Sequence, residues 1–305
     1  MFRISPGSWE VKKPLILPEG YGLTISKGTH LRFHKESFVL TRGPLQLKGT
    51  KDAPIVLESI GGKDSSWQGI VVMDSPKPSE WSHVIVRRTS GIQHPSWSLT
   101  GGVTFYKSDI QMEHCAFEGN RGEDSLNIIH SNFKLNDVRI ENTVSDAFDS
   151  DFSRGEVNGG KFNNIGSAGG GDAIDVSGSD VLVNGTRFEN VSDKALSVGE
   201  KSRMVARDLE MNQINVGAAS KDGSHLQITD SAIKNASVAG LMAYVKKPEH
   251  GFGAIEADRL VFAETPVQAR SQKGSVIKLN GREVEAQNID VKQMYRTIMK
   301  PGLRK

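Results

Sequence analysis

Residues 146–151 read Asp-Ala-Phe-Asp-Ser-Asp, and residues 172–177 read Asp-Ala-Ile-Asp-Val-Ser. The pattern appears one step earlier as Asp-Ser-Leu-Asn-Ile from Asp124, and one step later as Lys-Ala-Leu-Ser-Val from Lys194. Aligned on Leu126, Phe148, Ile174 and Leu196, the four stretches give a column of Asp124, Asp146, Asp172 and Lys194. A second column, three residues on, holds Asn127, Asp149, Asp175 and Ser197. The steps are 22, 26 and 22 residues, and self-similarity at such a period marks structural units stacked one on the next. A column in the sequence becomes a ladder in space, and this ladder carries carboxylates.

The apolar positions keep the same period. Leu135, Val157 and Val183 follow the second column by eight residues, and Ile140, Phe162 and Phe188 follow it by thirteen. Each unit thus has three short apolar segments, too short for helices and alternating as half-buried strands do. Three strands per ~22-residue coil, stacked in register, make a parallel β-helix. Earlier segments (Pro54–Leu57, Trp67–Val72, Val84–Val86) share the habit, and the period blurs after about Ile233. Asn120, Asn142, Asn164, Asn190, Asn212 and Asn235 recur after the third segment, where a residue tolerant of left-handed backbone suits a tight corner. Val291, Met294, Tyr295 and Ile298 fall on one helical stripe. The sequence predicts a β-helix with its lead-in over 1–285, and over 286–305 a short capping helix (288–299), stopped by Pro301-Gly302, and a tail. Such a helix would cover the exposed edge at the end of the stack.

Thirty-eight basic against 36 acidic residues give a net charge of +2, which offers no case for nucleic acid or a membrane as partner. The acids instead crowd into 141–193. The single cysteine, Cys115, excludes an intrachain disulfide and reads as a buried thiol. No signal-like apolar stretch opens the chain and no run is long enough to span a bilayer. Oligomeric state is not encoded in these patterns.

The period, the Asn corners and the Gly49-Thr50…Pro54-Ile-Val opening resemble the right-handed parallel β-helix, or pectin-lyase-like, superfamily over about residues 20–285. The segments Asp146–Asp151, Asp172–Ser179 and Asp193–Glu200 and the Met-Lys-Pro-Gly end also resemble bacterial β-helix modules found with spore-coat-kinase-like proteins. The resemblance implies an all-β, single-stranded right-handed parallel β-helix, an acidic, uronate-containing polysaccharide as partner, and a secreted or cell-surface setting.

Coils stack about 4.8 Å apart, where two ionised aspartates repel by about 3.5 kcal/mol at an effective dielectric near 20. Such a ladder needs a cation, a shared proton or donors from turn amides. Inward Ile174 and Val176 leave Asp175 pointing out, with Ala147, Ala173 and Ala195 expected as a low floor on the same face. Gly166–Gly171, the insertion behind the 26-residue step, turns the chain just before Asp172. One expectation is a Ca²⁺ site of Asp146, Asp149, Asp172 and Asp175, since hard cations take carboxylate oxygens. The resemblance to calcium-dependent uronate lyases then implies Lys194 as general base, with Lys201 and Arg203 binding the anionic sugar or serving as acid. Asp124, Asn127, His130 and Asp151 are expected to contact substrate. A neighbouring aspartate would, however, make Lys194 a poor base unless a metal occupied the acids. A second expectation is hydrolysis by paired carboxylates. Asp149, Asp172 and Asp175 resemble the polygalacturonase-like acids, but the Gly-His-Gly that follows them in that family is Ala-Leu-Ser here. A third is a non-catalytic cell-surface or structural carbohydrate-binding module, its acids and asparagines satisfying turn amides and Lys194 closing the ladder as a salt bridge. His94 and Trp97 lie in the polar loop 91–102, where a packing role is the simpler reading.

Overall fold

The computed structural model describes residues 1–299, the Ile298 side chain excepted, so the stop at Pro301-Gly302 lies outside the described residues. Within them the chain winds through about twelve turns of a parallel β-solenoid. One side is a thirteen-stranded sheet that includes Leu23–Ser26, Asn132–Asn136, Asp180–Asn184 and Val276–Leu279. The second and third sides run separately at first, for example as Lys161–Ile165 and Asp146–Asp151. They fuse in Arg187–Gly199, Glu210–Lys221 and Ala232–Tyr244, which bend around the corner without a break.

The aligned columns are the actual pairing register. Asp124, Leu126 and Asn127 pair with Asp146, Phe148 and Asp149. Phe148 and Asp149 pair in turn with Ile174 and Asp175, and those with Leu196 and Ser197. The inward ladders from Leu126, Leu135 and Ile140 are almost completely buried and merge into one core. Phe162 stacks on Phe188 with centroids 5.3 Å apart. The period does not stop near Ile233: parallel pairing continues to Ala286–Gln287. At the other end the lead-in already forms a coil, with Phe2 paired to Leu23 and Trp9 to Leu31.

The corners explain the asparagines. Asn142, Asn164, Asn190 and Asn235 all have φ between 53 and 58°, a backbone region that Asn enters at lower cost than most residues. Their amides bond from coil to coil, Asn164 to Asn142 and Asn190 to Asn164, both at 2.9 Å. Two of the six expected corner residues are displaced by one. Gly119 (φ 70°) takes the corner beside Asn120, and Gln213 (φ 53°) takes it beside Asn212.

A buried serine ladder accompanies the corner after the third side. The backbone N–H groups of Ser131, Ser153, Ser179 and Ser202 donate to Ser153, Ser179, Ser202 and Ser224 Oγ at 2.9–3.1 Å. Ser179 Oγ also donates to the Ser150 carbonyl at 2.9 Å. Ser179→Ala would strand the Ser153 amide in the interior, so a loss of about 1–3 kcal/mol is expected in urea unfolding. A loss below the error of that measurement would mean water substitutes for the hydroxyl.

The third side is open only in its middle. Near the amino end the antiparallel hairpin Ile92–His94/Trp97–Leu99 lies over it, packing Ile92, Trp97 and Leu99 on Phe38, Leu40 and Val71. Near the carboxyl end the helix Val291–Met294 and its continuation through Met299 lie over Val216, Ala219, Met242 and Tyr244. The helix expected from the stripe is therefore present. It does not cover the end of the stack as expected: its apolar residues meet the outward flank of the solenoid, because Val216, Ala219, Met242 and Tyr244 offer an apolar surface there. Asp290 caps it, accepting from the Gln293 amide at 2.9 Å. Cys115 is buried, its thiol pushed up to about 12 by desolvation, as an inert core residue requires.

Candidate functional site

Between the hairpin and the helix, the outward positions of the third side are Thr104, Asn127, Asp149, Asp175 and Ser197. Asp146 opens its strand and Asp172 stands just before its own, both at the corner, and backbone donors of the next coil hold them. Asp146 Oδ1 accepts from the Asp172 amide at 2.8 Å, and Asp172 Oδ1 accepts from the Lys194 amide at 2.9 Å. These two carboxylates thus cap the turns above them, whereas Asp124 accepts from the side chains of Thr100 and Asn127. The curve of this corner also brings it towards the second column. Carboxylate oxygens of Asp146, Asp172 and Asp175 lie within 4.8 Å of one another and could hold a metal ion. Asp149, the fourth expected ligand, is not in that group. The alanines are not a floor: Ala147, Ala173 and Ala195 are fully buried and packed into the core.

The lysine of the column is sealed. Lys194 is 1% exposed, and its Nζ donates to Asp172 Oδ1 at 2.9 Å and Asp193 Oδ2 at 2.6 Å. Tyr295, from the C-terminal helix, presents its ring 5.8 Å from that ammonium and shares a hydrogen bond with Tyr244 at 2.7 Å. Burial opposes the charge, yet Asp172 and Asp193 hold the ammonium well above its usual pKa. An ammonium locked between two carboxylates gives up its proton with difficulty, so this placement lends no support to Lys194 as a general base. Lys221 is equally buried, bonded to Ser197 Oγ at 2.7 Å and facing Asp175 Oδ1 at 3.4 Å.

These two lysines divide the acids. Asp172 is held below its ordinary range: burial works against ionisation, but Lys194 and Lys221 outweigh it. Asp146, which no lysine hydrogen-bonds among the described residues, is pushed up to about 8 by burial and then by Asp172 and Asp175. Asp149 is pushed well above its usual value by burial and then by Asp175 and Asp124. Burial also raises Asp124 to about 7, against a hydrogen bond from Asn127 Nδ2 at 3.2 Å. Asp151 is raised by the same causes, burial and then Asp175.

The fold can now be compared with known structures. No protein-family model matches the sequence, and no curated protein matches it. Solved structures do. The periplasmic alginate epimerase AlgG aligns with a TM-score of 0.52 at 10% identity, over 90% of this chain and 78% of that one. The catalytic domain of a GH87 alpha-1,3-glucanase in complex with nigerose aligns at 0.50 with 10% identity, over 91% of this chain and 63% of that one. This chain is a right-handed parallel β-helix. At such identities the likeness extends to the fold alone.

The remaining expected residues separate. Asp124 and Asn127 sit under the open section, both buried. His130 and Asp151 occupy its far corner, His130 stacked on Phe152 with centroids 5.0 Å apart. Lys201 and Arg203 are not brought to the acids. Glu200 (φ 56°) and Lys201 (φ 65°) turn the chain away, and Arg203 begins a strand of the first side, paired with Asp180. His94 and Trp97 belong to the covering hairpin, stacked at 5.2 Å. Asp193, Lys221 and Tyr295 escaped the sequence reading. The Asp-Lys pair at 193–194 was the one available signal, since a charge pair inside an otherwise apolar rung needs partners. Nothing in the period marks Lys221 or Tyr295.

Proposed function

We propose that this protein binds an acidic polysaccharide along the open section of the third side, with a divalent cation such as Ca²⁺ held by Asp146, Asp172 and Asp175. The observation that carries this reading is the meeting of those three carboxylates, on adjacent coils, in the one stretch of that side between its two covers. The donor set fits a hard cation, being all oxygen and drawn from a rigid scaffold. When bound, the ion would neutralise the acids and a uronate carboxylate together. The chain's own residues keep Asp172 and Asp175 in place through Lys194 and Lys221. That an alginate epimerase and a nigerose-bound glucanase share the fold agrees with a polysaccharide ligand. Lyase cleavage remains open to test, with a base other than Lys194.

A second reading, hydrolysis, rests on the divided acids. Asp149, pushed to keep its proton, would be the general acid; Asp175, paired with Lys221 two rungs on, would be the base or nucleophile.

CaCl₂ is expected to raise the melting temperature of the EDTA-treated protein by mass action. Asp146→Asn combined with Asp175→Asn should remove that increment. A wild-type melting curve indifferent to Ca²⁺ would end the metal reading. Incubation with a panel of acidic and neutral polysaccharides then separates the chemistries. Unsaturated products absorbing in the near ultraviolet mean lyase action. New reducing ends without them, lost in Asp149→Asn, mean hydrolysis. Binding with neither product means a non-catalytic module.

A further inference from the structure

Around the corner from the acids lies a groove of about 680 Å³, lined among others by Lys201, Arg203, His225, Gln227 and His250. No carboxylate lines it. Among the described residues neither Lys201 nor Arg203 makes an ion pair or a side-chain hydrogen bond, although both are exposed. Arg154, Arg187 and Arg259, by contrast, face acids on neighbouring coils. The acids nearest the groove are engaged elsewhere. Glu200 pairs with Lys247, and Asp180 with Arg154 at 3.5 Å. Glu256 stands 4.0 Å from His225.

The wall of the groove is built. Asp222 Oδ1 accepts from the Lys246 and Lys247 amides at 2.6 Å each, which pins the loop that carries His250. Gly223, at φ 72°, lets that loop lie down: a Cβ there would stand 2.3 Å from the His250 carbonyl oxygen and 3.2 Å from Lys201 Cγ. Any side chain at 223 would push the two apart.

We propose that Lys201, Arg203, His225 and His250 form an oxyanion subsite for a carboxylate or sulfate group of the glycan. The guanidinium offers a paired donor fork, and the ammonium and imidazoles supply further donors. The subsite deepens the polysaccharide reading and rests on it. It assigns Lys201 and Arg203 to binding, and it makes the ligand a polyanion that turns the corner after Gly199.

The test is titration with three probes: oligogalacturonate, a sulfated dextran oligomer and unsubstituted dextran. It follows affinity by calorimetry and the His225 and His250 ring signals by NMR. Either anionic probe is expected to bind and shift both histidine signals, and the tighter of the two identifies the group. Lys201→Ala with Arg203→Ala should weaken that binding by at least tenfold with the circular dichroism spectrum unchanged, and Arg203→Lys should recover part of it. Anionic probes that bind without moving these histidines, or equally well to the double variant, overturn the subsite and leave the polysaccharide reading standing. Dextran binding as tight as the anions overturns the subsite in the same way. No binding of any probe overturns both.

Discussion

Lys194→Ala is expected to destabilise the protein by about 3–5 kcal/mol in urea unfolding at pH 7, the cost of breaking a buried ion pair from one side. The substitution removes the ammonium that lies between Asp172 and Asp193, whose side chains are only 6% and 0% exposed. Both carboxylates would then lose the counter-ion they share, in a site closed by Tyr295. Lys194→Met keeps the packing volume and should lose nearly as much, which separates charge from cavity. Combining Lys194→Met with Asp172→Asn and Asp193→Asn should restore most of the loss, because a neutral triad leaves no unpaired buried charge. The general-base reading of this lysine expects a different result: a stable, metal-binding and inactive Lys194→Ala. A loss under 1 kcal/mol would show that Lys194 is not the buried counter-ion described here.

Why the sequence allowed the fold to be read but left this lysine open between a base and a salt bridge is a matter of range. Register is a local property repeated many times, so aligning Leu126, Phe148, Ile174 and Leu196 was enough to give the true pairing. The same alignment assigns Lys194 to its rung but says nothing of what lies on top of it. The cover comes from Tyr295, about one hundred residues away, and no period connects the two. The alanines failed for a related reason. Alternation along a strand makes Ala147 and Ala173 outward, but the corner bends there and turns them into the core. That bend also gathers Asp146 and Asp172 with Asp175 while leaving Asp149 outside. Lys201 and Arg203, close to the acids in sequence, are separated from them by two consecutive left-handed residues, and such a turn is not marked by Glu-Lys as it would be by Asn-Gly.

The metal-free protein is expected to melt at a higher temperature at pH 5 than at pH 8, the reverse of a protein whose acids are all paired. An unfolded aspartate loses its proton near pH 4, whereas Asp124 and Asp146 keep theirs in the folded state until about 7 and about 8. Between those limits the native state binds more protons than the unfolded state, so stability falls as pH rises. Each group contributes up to about 1.4 kcal/mol per pH unit until its own folded value is passed, and Asp149 acts in the same direction. Asp172 and Glu200, held low by lysines, add stability that is lost only as pH falls through values below the ordinary carboxylate range. They therefore do not oppose the trend inside the window. A divalent ion held by Asp146, Asp172 and Asp175 needs Asp146 ionised, so it must displace that proton. Ca²⁺ should accordingly add much more to the melting temperature at pH 8 than at pH 5, and flatten the decline. Calorimetric melts in EDTA and in CaCl₂ at four pH values between 5 and 8 measure both slopes. A melting temperature in EDTA that climbs towards pH 8 would mean that the acid ladder is ionised and compensated without a metal, and that the carboxylate of Asp146 serves only the turn it caps.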